Sequence, residues 1–338
     1  MIDRRERWNR RRFVGGLTLA GTASLLGMRV EDSAGEPTPE TTKIRLIHRP
    51  SLCEAPNYVA EELLRGEGFR DISYVKRDFG EAENALAAGD VDIAMLFGPP
   101  MILRMDAGAP VVFLAGVHVG CAETFVNERI HTIRDLKGKT VAISTTRDPS
   151  HVFIAMMAAH VGLNPERDIN WTIQPIADWP QLLATGKIDA FLTAPPQAQE
   201  TRARKIGRVL VNTLTDRPWS QYYCCLVVAR QEFVRRYPVA TKRATRAILK
   251  ASDLCAQQPD KVARFLVDRG YIDRSDYVVQ SLKEVAYGKW RHYDPADAIR
   301  FYSLRLHEAR MIKSSPQKIL DQGTDWRFLH ELKRELKG

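Results

Sequence analysis

The stretch LAAGDVDIAMLFGPP at residues 86–100 returns 97 positions later, one residue shorter, as LATGKIDAFLTAPP at residues 183–196. At that offset Leu86, Gly89 and Asp92 fall on Leu183, Gly186 and Asp189, and Val91 falls on the equally β-branched Ile188. The two frames part only at the proline pair. Each copy reads as a helix that closes at glycine, a buried strand entered through aspartate, and a new helix opened by proline, which suits a first turn because it has no N–H to lose. A chain that writes this corner twice is expected to fold as two similar lobes.

The surrounding sequence keeps the same rhythm. KIRLIH (43–48), ISYVKR, VDIAMLF and PVVFLAGV read as strands, separated by the helical stretches PNYVAEELLRGEGF, EAENALAAG and PPMILRMDAG. TVAIS (140–144), INWTIQPI, IDAFLT and RVLVNT continue the strands. PSHVFIAMMAAHVG, WPQLLATG and PPQAQETRARK continue the helices. YYCCLVVAR (222–230) is a last strand before a mostly helical tail. Strands alternating with helices of this length indicate βαβ units and a largely parallel sheet. In such sheets ligands sit beyond the carboxyl ends of the strands, where helix N-termini offer free N–H groups and the positive end of the helix dipole. The corners at Phe97-Gly98-Pro99 and Thr193-Ala194-Pro195 are therefore expected to face one another across a gap.

The first forty residues are of another kind. WNRRRFVGGLTLAGTASLLGM sets a basic cluster before a mild apolar run too short and too polar for a membrane span, which needs about 20 apolar residues. Arg10-Arg11-Arg12-Phe13-Val14 resembles the twin-arginine export signal of bacteria. Residues 31–42 read as a solvated tether, so residues 1–42 stand outside the fold and export to the periplasm without stable membrane insertion is expected. The net charge of +9, from 50 basic and 41 acidic residues, is scattered rather than gathered into a stripe, and no nucleic-acid partner is expected. The five cysteines, Cys53, Cys121, Cys224, Cys225 and Cys255, cannot make a complete disulfide framework.

The A-L-x-x-G-x-[VI]-D string at 85–92, IRDLKGKTVAIS at 133–144, LLATGKIDAFLTAPP at 182–196 and YYCCLVVARQEFVRRYP at 222–238, followed by a long helix, resemble the periplasmic solute-binding proteins of ABC importers. The class resembled is that of nitrate, sulfonate, taurine and thiamine-pyrimidine precursors. The resemblance runs over about residues 43–268. It implies a two-lobed, hinged α/β fold of the periplasmic-binding-protein type, each lobe a mainly parallel sheet flanked by helices, with a helical C-terminal tail. It divides the chain into a first lobe at 43–121, a second lobe at 122–220, and a return strand with tail helices at 221–338. It also implies a monomer without catalytic residues or cofactor, partnered by a small-molecule ligand and by an ABC permease and its ATPase.

On this frame the candidate ligand-binding residues are those where a strand ends or a helix begins on the cleft side. They are Arg49, Pro50, Ser51 and Leu52 after the first strand, Tyr58 in the helix beyond, and Phe97 and Gly98 after the third strand. Cys121 and Glu123 lie at the first crossing between lobes, and Thr145, Thr146 and His151 around a helix start. Thr193 and Ala194 follow the second copy of the repeated corner, and Trp219, Tyr222 and Tyr223 lie at the return crossing. Threonine hydroxyls at helix N-termini suit a sulfonate or carboxylate. Aromatic rings suit a flat body such as a pyrimidine or aromatic acid.

Two alternatives share the fold: a sensory binding protein, and an enzyme like the fungal pyrimidine-forming enzyme of thiamine synthesis. That enzyme uses a cysteine-rich run on the return strand with iron, and takes substrate atoms from a histidine and pyridoxal phosphate. Here the run is only Tyr222-Tyr223-Cys224-Cys225-Leu226, and no lysine stands out for the pyridoxal linkage. Neighbouring strand residues point to opposite faces, so Cys224 and Cys225 reach one site only through a bulge. No metal site is expected, since spacing such as C-x₂-C is missing.

Overall fold

The computed structural model describes residues 35–78, 80–273 and 276–336. The expected export signal and the first four residues of the expected tether, 31–34, lie outside them; the rest of that segment is not a free solvated tether but is tied to the fold, since Glu36 bonds Arg246 and Glu40 accepts the Val239 and Ala240 amides. Among the described residues no helix is long and apolar enough to cross a membrane.

The first lobe begins with β1 (Lys43–His48), α1 (Ala55–Gly66), β2 (Asp71–Lys76), α2 (Ala82–Ala88), β3 (Ile93–Phe97), α3 (Gly98–Asp106) and β4 (Val111–Val119). The chain then crosses into β5 (Glu123–Val126), β6 (Thr140–Ile143), α4 (Pro149–His160), α5 (Pro165–Asp168), β7 (Asn170–Ile173), α6 (Trp179–Ala184), β8 (Ala190–Thr193), α7 (Gln197–Ala203) and β9 (Arg208–Asn212). It returns as β10 (Tyr223–Arg230). The tail is α8 (Gln231–Arg236), α9 (Pro238–Gln257), α10 (Pro259–Asp268), α11 (Val278–Glu284), α12 (Pro295–Glu308), α13 (Pro316–Gly323) and α14 (Arg327–Glu335).

Three sheets result. β1 pairs β2 in parallel, the order β3-β10-β4 makes a second sheet, and β7-β6-β8-β5-β9 makes the third. β6 runs parallel to β7 and β8, as βαβ units require. The two strands that carry the chain between lobes do not follow that rule. β5, which the periodicity of the sequence did not mark, is antiparallel to β8 and β9, and β10 is antiparallel to β3 and β4. A crossing strand enters its sheet from the far lobe, so it arrives head-on to the strands that run toward the cleft.

The two repeated aspartates perform the same task. The Asp92 amide donates to the Arg45 carbonyl at 2.9 Å, while the Arg45 amide returns a 2.9 Å bond to the Asp92 carboxylate. The Asp189 amide donates to the Thr140 carbonyl at 2.8 Å, and the Thr140 amide returns 2.9 Å to the Asp189 carboxylate. Each aspartate thus clamps the start of a neighbouring strand by both its backbone and its side chain. The glycines before them, Gly89 and Gly186, stand at φ 91° and 71°, the left-handed conformation that lets a helix end and the chain turn into the strand.

The buried core is largely continuous through both lobes. Helix α4 is the reason. Its Val152, Phe153, Ile154, Met156 and Met157 are all buried, so it is apolar around most of its circumference. One side covers the second lobe's sheet and the other packs on α3 and α12 of the first lobe. The two crossings also touch: a Cβ on Gly120, at φ 30°, would lie 2.1 Å from the Thr213 carbonyl oxygen.

Candidate functional site

The carboxyl ends of β1, β3 and β4 and the amino end of β10 meet the second lobe along one seam. At its base the Leu52 amide donates to the Pro195 carbonyl across the lobes at 3.2 Å. Farther along, the Phe97 ring lies edge-on to Phe153 of α4 at 5.8 Å, and Phe153 edge-on to Tyr302 of α12 at 6.0 Å. At the mouth Gly80 sits against Thr145 and Asp148, and the Arg104 guanidinium donates to the Arg147 carbonyl at 3.1 Å. The corner after β3 therefore meets α4, and it is the corner after β1 that meets Thr193-Ala194-Pro195.

The loop between β6 and α4 is organised by one carboxylate. Asp148 caps α4 by accepting the His151 amide at 2.7 Å, and its other oxygen accepts the Ser144 and Thr145 amides at 2.7 and 3.2 Å. That leaves Thr145, Thr146 and Arg147 exposed at the mouth. His151 accepts the Arg147 amide on Nδ1 at 2.9 Å and stands edge-on to Trp171 at 4.5 Å. Burial holds His151 below the usual histidine range, with Asp148 opposing and Arg147 assisting. Burial also pushes Arg104 down; Glu83 opposes and Arg147 adds to the shift. The Arg104 guanidinium and the exposed Arg147 thus both lie at the mouth, with the Glu83 and Asp148 carboxylates as the opposing charges nearby.

Other expected residues make contacts of their own within the fold. Arg49 is fully buried between Glu54, which it bonds directly, and Glu83 at 3.5 Å. The Tyr58 hydroxyl accepts the Arg49 amide at 2.9 Å, and its ring stacks on Tyr271 at 4.6 Å. Pro50 is exposed, while Ser51, Leu52 and Gly98 are buried at the seam. Glu123 is buried against Arg202 at 3.3 Å, and burial raises it. Thr193 bonds the Gln197 side chain, and Ala194 is buried beside it. At the return crossing Tyr222 stacks on Phe301 at 3.9 Å and Trp219 packs edge-on to the same ring. Tyr223 sends its hydroxyl to the Lys289 carbonyl at 2.9 Å.

Four residues of the seam were not legible as such. Arg104 lies at the far end of α3, Phe153 and Tyr302 are core-like in pattern, and Gly80 sits in a loop. Asp148 could have been found, since Asp before Pro-Ser is a helix-start signal.

Beneath the seam lies a cluster of thiols. The Sγ atoms of Cys121 and Cys224 are 3.2 Å apart, those of Cys224 and Cys225 3.7 Å, and Cys224 Sγ is 3.7 Å from His118 Nδ1. Opposite faces were expected for Cys224 and Cys225; the ladder between β10 and β4 instead shifts register on both sides of Cys225, and this bulge turns both thiols to one side. Burial pushes Cys225 up, but hydrogen bonds from Cys121, Cys224 and Cys53 and the nearby His118 charge bring it well down. Away from the seam, a groove lined by Val112, Gln231, Val234 and Arg327 opens at the opposite end of the β3-β10-β4 sheet.

Two lobes joined by two crossings, with strand ends converging on a shared seam, define the class of hinged two-lobed binding-protein folds. The chain belongs to the NMT1-like family, whose model matches residues 38–266. The structure superposes on the periplasmic nitrate-binding protein NrtA from Synechocystis PCC 6803 with a TM-score of 0.74 and 17% identity, covering 89% of this chain and 90% of that one. On the alkanesulfonate-binding protein SsuA from Xanthomonas axonopodis pv. citri, bound to MOPS, it gives 0.66 and 17% identity, with 83% and 96% covered. In sequence it is 22% identical over 262 residues to the nitrate import ATP-binding protein NrtC of Synechocystis sp., 71% of this chain. The match takes in 38% of that relative, so the chain spans well under half its length.

Proposed function

We propose that this chain is the exported substrate-binding component of an ABC importer, capturing a small organic anion with an apolar or ring-bearing body between its lobes. The observation that carries the reading is the seam itself. Exposed Thr145, Thr146 and Arg147, with Arg104 facing them, offer donors and positive charge at the mouth. Phe97, Phe153 and Tyr302 supply an aromatic wall behind them. Opening the hinge would admit the ligand and closing it would exclude water. The names of the structural neighbours, binders of nitrate and alkanesulfonate, agree with an anionic head group. The same reading takes a permease and its ATPase as partners and the periplasm as the compartment.

Thermal unfolding of the purified chain with a panel of sulfonates, aromatic acids and pyrimidines tests it. A ligand at a hundred times its Kd should add about 2.7 kcal/mol of stability. Arg147→Ala should weaken binding of an anionic ligand about tenfold while leaving the melting temperature of the free protein nearly unchanged. A panel without any shift, or a hit indifferent to Arg147→Ala, would remove the anion-binding reading.

A further inference from the structure

We propose that His118, Cys121, Cys224 and Cys225 form a closed tetrahedral site for a zinc ion, holding the two interlobe crossings together at the base of the cleft. The ligand atoms of these four residues already lie within 4.8 Å of one another, and all four residues are buried. Zinc bound at about 2.3 Å to sulfur and about 2.1 Å to nitrogen places its ligands roughly 3.5–3.8 Å apart. The separations of 3.2, 3.7 and 3.7 Å are close to that spacing.

Three sulfurs and one imidazole nitrogen are a donor set for a borderline-soft metal without ligand-field demands. The imidazole is already oriented. His118 Nε2 faces the Cys53 carbonyl at 3.1 Å, while Nδ1 stands 3.3 Å from the Val119 carbonyl and 3.7 Å from Cys224 Sγ, so a proton held on Nε2 frees Nδ1 for a metal beside the thiols. Cys121 is fixed by its backbone, since Thr213 Oγ1 accepts the Cys121 amide at 3.1 Å and the Ala122 amide at 2.9 Å. The bulge in β10 supplies the remaining pair. A bulge that brings adjacent cysteines to one side of a core strand has a purpose when both are ligands, and none when cysteine serves as a small hydrophobe.

The ligands come from the end of β4, from the first crossing and from the return strand. A metal here closes a loop of roughly a hundred residues, the second lobe, at its two necks. Binding is a simple exchange in which protons held on the three sulfurs and on His118 Nδ1 pass to solvent as the sulfur–zinc and nitrogen–zinc bonds form, with no change of oxidation state. The site differs from a contiguous cysteine run, because two of its four ligands lie on other segments.

The test uses the full chain, purified under reducing conditions, loaded with zinc chloride or cobalt chloride and dialysed. The expected result is one zinc per chain, and a cobalt form with the strong visible bands and sulfur-to-metal charge transfer of a tetrahedral thiolate site. X-ray absorption at the zinc edge should read three sulfurs and one nitrogen. Cys225→Ser and His118→Gln should lose stoichiometric zinc, while Cys255→Ser, a buried cysteine on α9 outside the cluster, should keep it. If the ligand variants fail to fold, the cobalt spectrum of the unaltered chain decides. A chain that binds neither metal, an octahedral cobalt spectrum, purification with iron in the site, or a Cys121–Cys224 disulfide that persists in place of metal would each overturn the proposal. None of these readouts depends on a transport ligand, so the site and the proposed function stand or fall separately.

Discussion

His151 shows what a single residue contributes at the mouth of the cleft. Its Nδ1 must be unprotonated to accept the Arg147 amide, and the N-terminus of α4 disfavours a positive charge beside it. The fold therefore binds the neutral ring. The stabilisation is present above the ordinary histidine value of 6.5 and drains away as pH falls from there through the lowered value in the folded chain. Asp148 and Glu166 resist this shift and Arg147 supports it. Denaturant melts at about pH 7.5 and about pH 5 should show a larger loss for the unaltered protein than for His151→Gln, which has nothing to titrate at that position. Equal losses in the two proteins would mean that the Arg147–His151 contact does not hold in solution.

At the scale of elements, the repeated corner is a device for starting a strand. Asp92 and Asp189 each exchange two hydrogen bonds with the first residues of a neighbouring strand, one through the amide and one through the carboxylate. Asp92 also accepts the Arg45 guanidinium at 2.6 Å, and Asp189 the Asn127 amide group at 2.6 Å. Asp92→Ala and Asp189→Ala should each cost about 1.5–3 kcal/mol, the range for hydrogen bonds to a charged group. The two sites share no partner, so the double variant should lose close to the sum in urea unfolding. The repeat was readable because it lies in consecutive residues. The partner strand was not, because Arg45 lies 47 residues before Asp92 and Thr140 lies 49 before Asp189.

Over the whole molecule, the two lobes are also joined by polar contacts away from the mouth. Glu284 at the end of α11 accepts the Gln199 amide group at 2.9 Å and bonds Arg202, both on α7 of the opposite lobe. Arg202 in turn reaches Glu123 at the start of β5. Burial pushes the Glu284 carboxyl up, but Gln199, Gln280 and Arg202 bring the net shift below the usual range. Glu284→Gln removes the charge across the seam and should shift the free protein toward an open state. The expected outcome is a several-fold rise in ligand Kd with a larger radius of gyration in X-ray scattering of the free form. An unchanged Kd and scattering profile would show that α4 packing alone sets closure.

The local pattern of residues determined most of the elements: the strands β1 to β4 and β6 to β10, the helices that flank them, and the doubled glycine–aspartate–proline corner. These are legible because periodicity, caps and turn residues act over a few neighbours. Tertiary structure alone decided the rest. It turned β5 into an antiparallel crossing strand, sent Arg49 into a buried carboxylate pair, and set Trp219 and Tyr222 against Phe301. It also bent β10 so that Cys224 and Cys225 share one side with Cys121 and His118. Residues roughly a hundred positions apart meet only after both lobes have formed, and the direction of a side chain in a bulge depends on the register of the strand beside it. No reading of neighbours along the chain carries that information.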